Sequence, residues 1–215
     1  MQHLPTQGGG MPPGARKIAL ECKGFLDDEE GLRLYALAKE CAHLGPILEV
    51  GSYCGKSSVY LGSGAREAAG TLICVDHHRG SEEHQPGELY HDPNLFDADA
   101  QRMDSLVELR RTLRRAELED TALILVASSQ RAASIWGTPL GMVFIDGGHS
   151  HAQAQADYEG WAHHVAPGGV LCIHDLFPNP DEGGQAPIEI YRRGLGSGMF
   201  DALPSTKTLG VLRRR

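Results

Sequence analysis

The sequence predicts a doubly wound α/β domain, in which helices cover both faces of a mostly parallel β-sheet. Short apolar runs alternate with longer helical patterns from residue 47 to the end of the chain. Two of these runs carry an acidic residue at or next to their end, and the first leads directly into a glycine turn and a helix start. Strands that alternate with helices form βαβ units with parallel strands and right-handed crossovers.

Seven apolar runs are predicted as strands, and the last two are expected to pair as a hairpin. The runs are residues 47–50, 72–75, 122–126, 142–145, 170–173, 199–203 and 208–212. The expected plan is therefore a Rossmann-like, seven-stranded, mostly parallel sheet with a C-terminal antiparallel hairpin.

Helical patterns fill the intervals between these strands. They cover residues 26–43, 56–67, 98–118, 129–136, 152–165 and 187–193. The first of them follows two aspartates that can cap its start, Asp27 and Asp28, and precedes the first strand. We expect that helix to cover the mouth of a ligand site.

Length and composition bound the class of protein. The 215 residues suit one folded domain, predicted over residues 17–215, after a Gly- and Pro-rich segment, residues 1–16, that we predict to be disordered. A net charge of −8 argues against nucleic-acid and anionic-membrane partners. Five cysteines without a C-x-x-C pair, and no signal peptide or long apolar run, predict a cytoplasmic protein, and a homo-oligomer is possible.

The connection after the second strand is unusually long and polar. Residues 77–97 contain Pro86, Gly87, Pro93 and four histidines. A loop of this length in a compact domain is usually functional or disordered, and this one leaves the edge of the sheet where ligands bind. It is either a lid over a substrate or a mobile excursion.

The glycine turn is the first candidate binding element. Gly51 and Gly55 bracket a turn that opens a helix, and backbone N–H groups at such a turn suit a nucleotide-like ligand. A dinucleotide fingerprint is disfavoured because Tyr53 occupies its middle glycine position. A P-loop ending in Lys56 and Ser57 is disfavoured because Val50 stands where that pattern needs glycine.

A second group of polar residues follows the fourth and fifth strands. Asp146 ends one strand, and His174 and Asp175 end the next, so all three are expected at the same edge of the sheet. Two carboxylates and an imidazole can bind a divalent ion, although Asp146 can also serve only to hold the following turn. His149 is placed to take a proton from a substrate, or else to bond backbone at a helix start.

Three stretches together resemble class I S-adenosylmethionine-dependent methyltransferases of the small-molecule family that acts on antibiotic precursors, including macrolide-sugar and cephalosporin-pathway enzymes. They are residues 51–57, 144–149 and 168–175. The resemblance implies that Asp146 and Asp175 bind magnesium and that His149 is the catalytic base. His174 departs from the family, which commonly has an acid there. The departure admits manganese, iron or zinc, or a metal-free site with His174 as the base.

The resemblance implies an S-adenosylmethionine-dependent enzyme that methylates a hydroxyl of a small metabolite. The second acid, Asp76, would hold the ribose, and Ser128 or Ser129 would meet the adenine unless they cap the next helix, which is the simpler role for Ser129. The implied cofactor-binding residues are Glu49, Gly51, Ser52, Tyr53, Gly55, Ser57, Asp76, His77, Ser128 and Asp146. The alternatives are a non-catalytic nucleotide-binding or scaffold protein, a phosphate-binding enzyme using Lys56 and Ser57, and a metal-independent N- or O-methyltransferase.

Overall fold

A computed structural model describes residues 10–81, 92–148 and 150–215 and contains the predicted seven-stranded sheet. The strand order is β5-β2-β1-β6-β7-β9-β8, in which the first five are parallel and β9 runs antiparallel to both β7 and β8. The strands are β1 Ile47–Val50, β2 Leu72–Asp76, β5 Ala122–Val126, β6 Leu140–Ile145, β7 Val165–Ile173, β8 Phe200–Thr206 and β9 Leu209–Arg214. The predicted fold class, including the C-terminal hairpin, is confirmed.

Helices pack on both faces of the sheet and bury a separate apolar cluster on each. They are α1 Pro13–Glu21, α2 Asp28–Cys41, α3 Lys56–Glu67, α4 Leu106–Arg115, α5 Ser129–Ala133, α6 His151–Trp161 and α7 Ala186–Gly196. The helices α1 to α4 pack on one face and α5 to α7 on the other. No helix in the described part of the chain combines the length and the apolar character that a membrane crossing requires.

The N-terminal segment is more ordered than its composition suggests. Helix α1 begins at Pro13, so the last four residues of the segment predicted to be disordered are helical. Met11 and Ala15 are buried in the core. Composition misses this helix because proline at a first helical turn is favourable, and packing against α3 supplies the rest of its stability. Residues 1–9 lie outside the described residues.

The long connection after β2 is only partly described, because residues 82–91 are outside the described ranges. The prediction of a lid at residues 77–97 therefore stays a prediction. The helix predicted from residue 98 instead begins at Leu106, after a small antiparallel pair, β3 Phe96–Asp97 and β4 Arg102–Met103. The Asp97 carboxylate accepts hydrogen bonds from the N–H groups of Asp99 and Ala100, and this local competition stops helix formation.

The register of the parallel strands fixes where the site lies. Val50 at the end of β1 pairs with Val75 of β2 and with Ile145 of β6, and Ile145 pairs with Ile173 of β7. Residues that follow these four strands therefore emerge side by side at one edge of the sheet, where ligands bind in open α/β folds.

Glu49 of β1 lies behind this edge rather than at it. Its side chain is fully buried beneath α3, and the Ser58 hydroxyl donates a hydrogen bond to its Oε2 atom. Burial raises the pKa of Glu49 to about 7. The side chain does not line either of the two clefts described below, so the residue supports the glycine turn from the core side.

We expect Glu49 to make stability depend on pH. Between the ordinary pKa of a glutamate and about 7, folded Glu49 keeps a proton that the unfolded chain has lost, so its contribution is full at lower pH and disappears as pH rises through this window. From pH 4.5 to 8, the free energy of unfolding should fall by about 3 kcal/mol more in the wild type than in Glu49→Gln. Urea unfolding at both pH values measures the difference. The surface variant Glu119→Gln should follow the wild type, and parallel curves for Glu49→Gln would refute the expectation.

Candidate functional site

A cleft of about 730 Å³ opens at the carboxyl ends of β1, β2, β5 and β6. This is the edge at which open α/β sheets bind ligands. The wall includes residues of the glycine turn and Asp76, which were predicted to bind a cofactor, and several residues that the sequence did not indicate. The residues that line the cleft include Gly51, Tyr53, Asp76, His77, Ser129, Gln130, Asp146, Gln153 and Asp157.

The glycine turn presses directly on the end of β6. Gly51 has φ +89°, and a Cβ atom added there would lie 2.1 Å from the carbonyl oxygen of Asp146. Only glycine fits both the backbone conformation and this close approach. Gly55, with φ +94°, immediately precedes α3 and takes up its N-cap position. The backbone angles of both glycines agree with the prediction that they shape the turn.

Asp76 is held in place by backbone N–H groups from both sides. Its Oδ2 atom accepts from Tyr53 N at 2.9 Å, and its Oδ1 atom accepts from His78 N at 2.7 Å. Each carboxylate oxygen can accept a further hydrogen bond, so the oriented group can still receive two ligand hydroxyls. His77 lies beside it on the cleft wall with its side chain 45% exposed.

Ser128 and Ser129, at the start of α5, have the opposite roles to those expected from the sequence. Ser128, predicted as a contact, caps α5, because its hydroxyl accepts from Arg131 N at 3.3 Å. Ser129, for which capping was expected, lies on the cleft wall, and its hydroxyl accepts from Trp161 Nε1 at 2.8 Å. The two neighbours exchange roles because the helix begins at Ser129, one residue earlier than a cap at Ser129 would require.

Asp157 of α6 is a site residue that sequence reasoning missed. It is 3% exposed and lines the cleft, and its Oδ1 atom has no hydrogen-bond partner among the described residues. Burial raises its pKa to about 6. One feature of the sequence could have indicated this residue. Asp157 lies on the same helix face as Ala154 and Trp161, where an acid interrupts an apolar pattern.

A second cleft of about 620 Å³ lies on the other side of the glycine turn. The two clefts share a common wall, formed by Gly51, Tyr53, Ser81, Asp146 and Gly147. The second cleft is rimmed by the segment between α1 and α2, and its other lining residues include Lys23, Phe25, Ser52, Lys56, Ser57, His174 and Asp175. Ser52 and Ser57, predicted to bind the same cofactor as Asp76, therefore line the second cleft, whereas Asp76 lines the first.

The rim of the second cleft carries an aromatic pair. The rings of Phe25 and Tyr53 stack with centroids 6.5 Å apart and planes 24° apart, and Phe25 is 69% exposed. Lys56 lines the same cleft and bonds the carbonyl oxygen of Gly24 at 3.3 Å. This opening therefore offers apolar surface and a cation to a second ligand beside the first.

Asp146, His174 and Asp175 converge where the two clefts meet. One ligand atom from each lies within 4.8 Å of the others. His174 Nδ1 is 3.2 Å from Asp146 Oδ1 and 3.3 Å from Asp175 Oδ1. Ligands 2.0–2.2 Å from one ion are separated by about 2.8–3.6 Å in octahedral or tetrahedral geometry. The spacing and the mixed nitrogen and oxygen donors fit a divalent ion.

Glu30 of α2 completes this cluster, although no sequence pattern connected it with His174. His174 Nε2 lies 2.9 Å from Glu30 Oε2, and both side chains are almost fully buried. Burial opposes a charged imidazole, but the charge of Asp146 and the bonds to Asp146, Asp175 and Glu30 outweigh it and raise the pKa of His174 well above its ordinary value.

His149, predicted as the catalytic base, lies outside the described residues. Its neighbours are described: Ser150 caps α6 by accepting a hydrogen bond from Gln153 N at 3.4 Å, and Gly148 belongs to the first cleft. The role of His149 stays a prediction from the sequence.

Solved structures with the same fold include O-methyltransferases, at low sequence identity. NovP matches with a TM-score of 0.65 and 15% identity over 87% of this chain and 80% of NovP. TomG from Streptomyces achromogenes, involved in tomaymycin synthesis and solved with S-adenosylmethionine, gives 0.61 and 15% over 95% and 91% of the two chains. An O-methyltransferase from Bacillus cereus, solved with S-adenosylhomocysteine, gives 0.62 and 17% over 94% and 92%.

The family comparison covers the elements that build both clefts. A family described as a methyltransferase domain matches residues 48–176, which is more than half of the chain. The matched region contains the glycine turn, Asp76, Asp146 and the end of β7. The chain therefore belongs to this methyltransferase-domain family.

Proposed function

We propose that this protein transfers a methyl group from S-adenosylmethionine to a hydroxyl of a small molecule, with help from a divalent ion. The observation that carries the proposal is the pair of clefts that meet across Gly51, Asp146 and Gly147. A methyl donor in the first cleft and an acceptor in the second would face each other at this shared wall. The cofactors bound by TomG and by the Bacillus cereus enzyme support the choice of donor.

The first cleft offers a partner for each part of the cofactor. Asp76 is oriented to accept the ribose hydroxyls, and the turn around Gly51 would pack against the methionine portion. Ser129, Gln130 and Asp157 are at the end suited to the adenine. The unpartnered Asp157 Oδ1 is an acceptor for an adenine amino group, because a buried acceptor without a partner is costly.

The second cleft would orient the acceptor for transfer. Because the sulfonium is already a reactive methyl donor, holding the acceptor oxygen in line with the methyl supplies most of the catalysis. A divalent ion, when bound by Asp146, His174 and Asp175, would lower the pKa of the acceptor hydroxyl. Manganese, iron or zinc suit the histidine-containing set better than magnesium. We propose His149 as the base that removes the proton.

The partner that this proposal implies is one small hydroxylated molecule. The acidic net charge gives no support for a nucleic-acid substrate. A cytoplasmic location remains a prediction of the cysteine pattern. A scaffold protein of the same fold is the alternative, and it would bind cofactor without turnover on any acceptor.

Asp76→Ala should weaken S-adenosylmethionine binding by about 1.5–3 kcal/mol, because it removes the charged acceptor of the ribose hydroxyls. Isothermal titration calorimetry measures the change, and circular dichroism checks that the variant is folded, since Asp76 also bonds two backbone N–H groups. The exposed residue Asp99 provides a control, and Asp99→Ala should bind like the wild type. Unchanged affinity in a folded Asp76→Ala protein would remove Asp76 from the site.

Removal of divalent ions with EDTA should lower the rate of S-adenosylhomocysteine release with hydroxylated acceptors. Manganese or another transition ion should restore the rate at least as well as magnesium, because nitrogen ligands favour these ions. Asp175→Asn should lose the restoration, whereas the exposed variant Asp181→Asn should keep it. Full activity of metal-stripped protein would show that transfer is metal-independent.

His149→Ala should lower kcat by about 10²–10⁴-fold, the usual contribution of a positioned base. Cofactor affinity should stay close to the wild-type value, because the residue would face the acceptor. The wild-type rate should rise with pH through the pKa of a histidine, and the variant should lose this rise. Near-normal turnover with an unchanged pH profile would leave His149 with a structural role; His151→Ala is the matched control.

A further inference from the structure

We propose that Glu30 is a positioning residue that fixes the ring of His174, so that Nδ1 faces Asp146 and Asp175 as a ligand for a divalent transition-metal ion. This inference rests on the metal-assisted function proposed above and adds to it a residue from outside the family-matched region. Glu30 belongs to α2, which precedes residues 48–176.

Glu30 is held by donors from three directions. Its Oε1 atom accepts from Thr208 N and from Thr208 Oγ1, each at 2.8 Å. Its Oε2 atom faces Asp27 N at 3.3 Å and His174 Nε2 at 2.9 Å. The residue is 2% exposed. With two backbone N–H groups among these donors, the carboxylate has little freedom to rotate, and it joins α2, the end of β7 and the start of β9.

The chemistry of a carboxylate determines the orientation of the ring. An ionised glutamate can only accept hydrogen bonds, so His174 must donate from Nε2. A divalent ion that binds at Nδ1 would displace the proton there, and the neutral ring would then carry its proton on Nε2 and its lone pair on Nδ1. That atom is the one that lies 3.2 Å from Asp146 Oδ1 and 3.3 Å from Asp175 Oδ1. A carboxylate that accepts the second N–H of a metal-binding histidine is a recurrent way to fix the ring and strengthen the ligand.

Packing closes the other orientations of the ring. His174 is 5% exposed, and its ring meets the Phe144 ring edge to face, with centroids 6.2 Å apart and planes 68° apart. A ring flip would place carbon atoms against Glu30 and against the two aspartates, and would leave the buried carboxylate of Glu30 and the two partly exposed aspartates without this partner. The loss of such bonds in a buried site is expensive.

Replacement of Glu30 by glutamine gives a sharp test, because the amide has one acceptor and one donor end. Thr208 donates two hydrogen bonds of 2.8 Å to Oε1, whereas Asp27 N lies 3.3 Å from Oε2, so the amide oxygen should stay on Thr208 and the NH₂ group should face His174 Nε2. Nε2 must then be the acceptor, and the ring proton moves to Nδ1, where it blocks the ion. The side-chain volume is almost unchanged.

The experiment is a titration of metal-stripped protein with Mn²⁺ alone, followed by isothermal titration calorimetry and by electron paramagnetic resonance of free Mn²⁺. The wild type should bind one ion, and Glu30→Gln should bind it at least 10-fold more weakly, as for other residues that orient metal ligands. Asp27→Ala is the matched control. It removes the side-chain cap from the same end of α2, with its bond to Glu29 N, but leaves the carboxylate of Glu30 in place. Its Mn²⁺ affinity should stay within about twofold of the wild type.

The outcomes separate this inference from the proposed function. Equal Mn²⁺ affinity in wild type and Glu30→Gln would overturn the role of Glu30 while leaving the ion site intact. Equal weakening in Asp27→Ala would also overturn it, since general loosening of α2 would then explain the loss. Absence of Mn²⁺ binding by the wild type would overturn both the ion and the role of Glu30, while S-adenosylmethionine binding, measured separately, would still test the methyltransferase.

A second measurement needs no folded Glu30 variant. Nitrogen-15 NMR of the wild-type histidine rings with Zn²⁺ reports which ring nitrogen carries the proton. The His174 signal, assigned by its loss in His174→Asn, should show a protonated Nε2 and a metal-bound Nδ1. Coordination through Nε2, or a signal that does not respond to Zn²⁺, would overturn the proposal.

Discussion

The contact between the glycine turn and the end of β6 is the constraint on which the rest of the site depends. With the Gly51 Cα so close to the Asp146 carbonyl oxygen, no side chain can stand between β1 and β6. The backbone itself therefore forms the wall between two clefts. Any side chain at this position would separate the two strand ends and widen the wall across which a donor and an acceptor must meet.

Several ionisable groups are buried around this wall, and they differ in how many of their polar atoms have a hydrogen-bond partner. Glu49 has a serine hydroxyl below the turn, and Glu30 has Thr208 and His174. Asp157 lacks a partner for Oδ1 among the described residues. Glu49 Oε1 also lacks a partner among the described residues, but Glu49 lines neither cleft. Because desolvation of an unpaired polar group costs free energy, Asp157, which does line the first cleft, is suited to a ligand, whereas Glu30 is paired through both of its oxygens.

The second cleft depends on a segment that lies before the family-matched region. The chain between α1 and α2 contributes Phe25 to its rim, and α2 contributes Glu30 behind the ion site. Helix α1 contacts α3, so the N-terminal part of the chain is packed onto the same layer that carries the glycine turn. The second cleft is therefore lined in part by residues upstream of the first strand, whereas the first cleft is lined by residues that lie in or after that strand.

The sequence by itself determined the order of strands and helices, the glycine turn and the acids that follow the strands. These features are local: apolar period, turn chemistry and the rule that parallel strands end at one edge identify them without long-range contacts. Local signals were less reliable where two local preferences compete, as at Ser128 and Ser129, and where the turn at Asp97 delayed α4 to Leu106. Composition also missed the start of α1, because its stability comes from packing.

Only the tertiary structure decided which side chains share a site. The contact between His174 and Glu30 joins residues 144 positions apart, and no periodicity links a helix N-terminus with the end of the fifth parallel strand. Glu49 and Asp76 both lie in short strands, yet one points beneath α3 and the other emerges at the sheet edge. The sequence specifies which groups are present, whereas burial, strand register and the approach of distant elements determine which of them can meet a ligand.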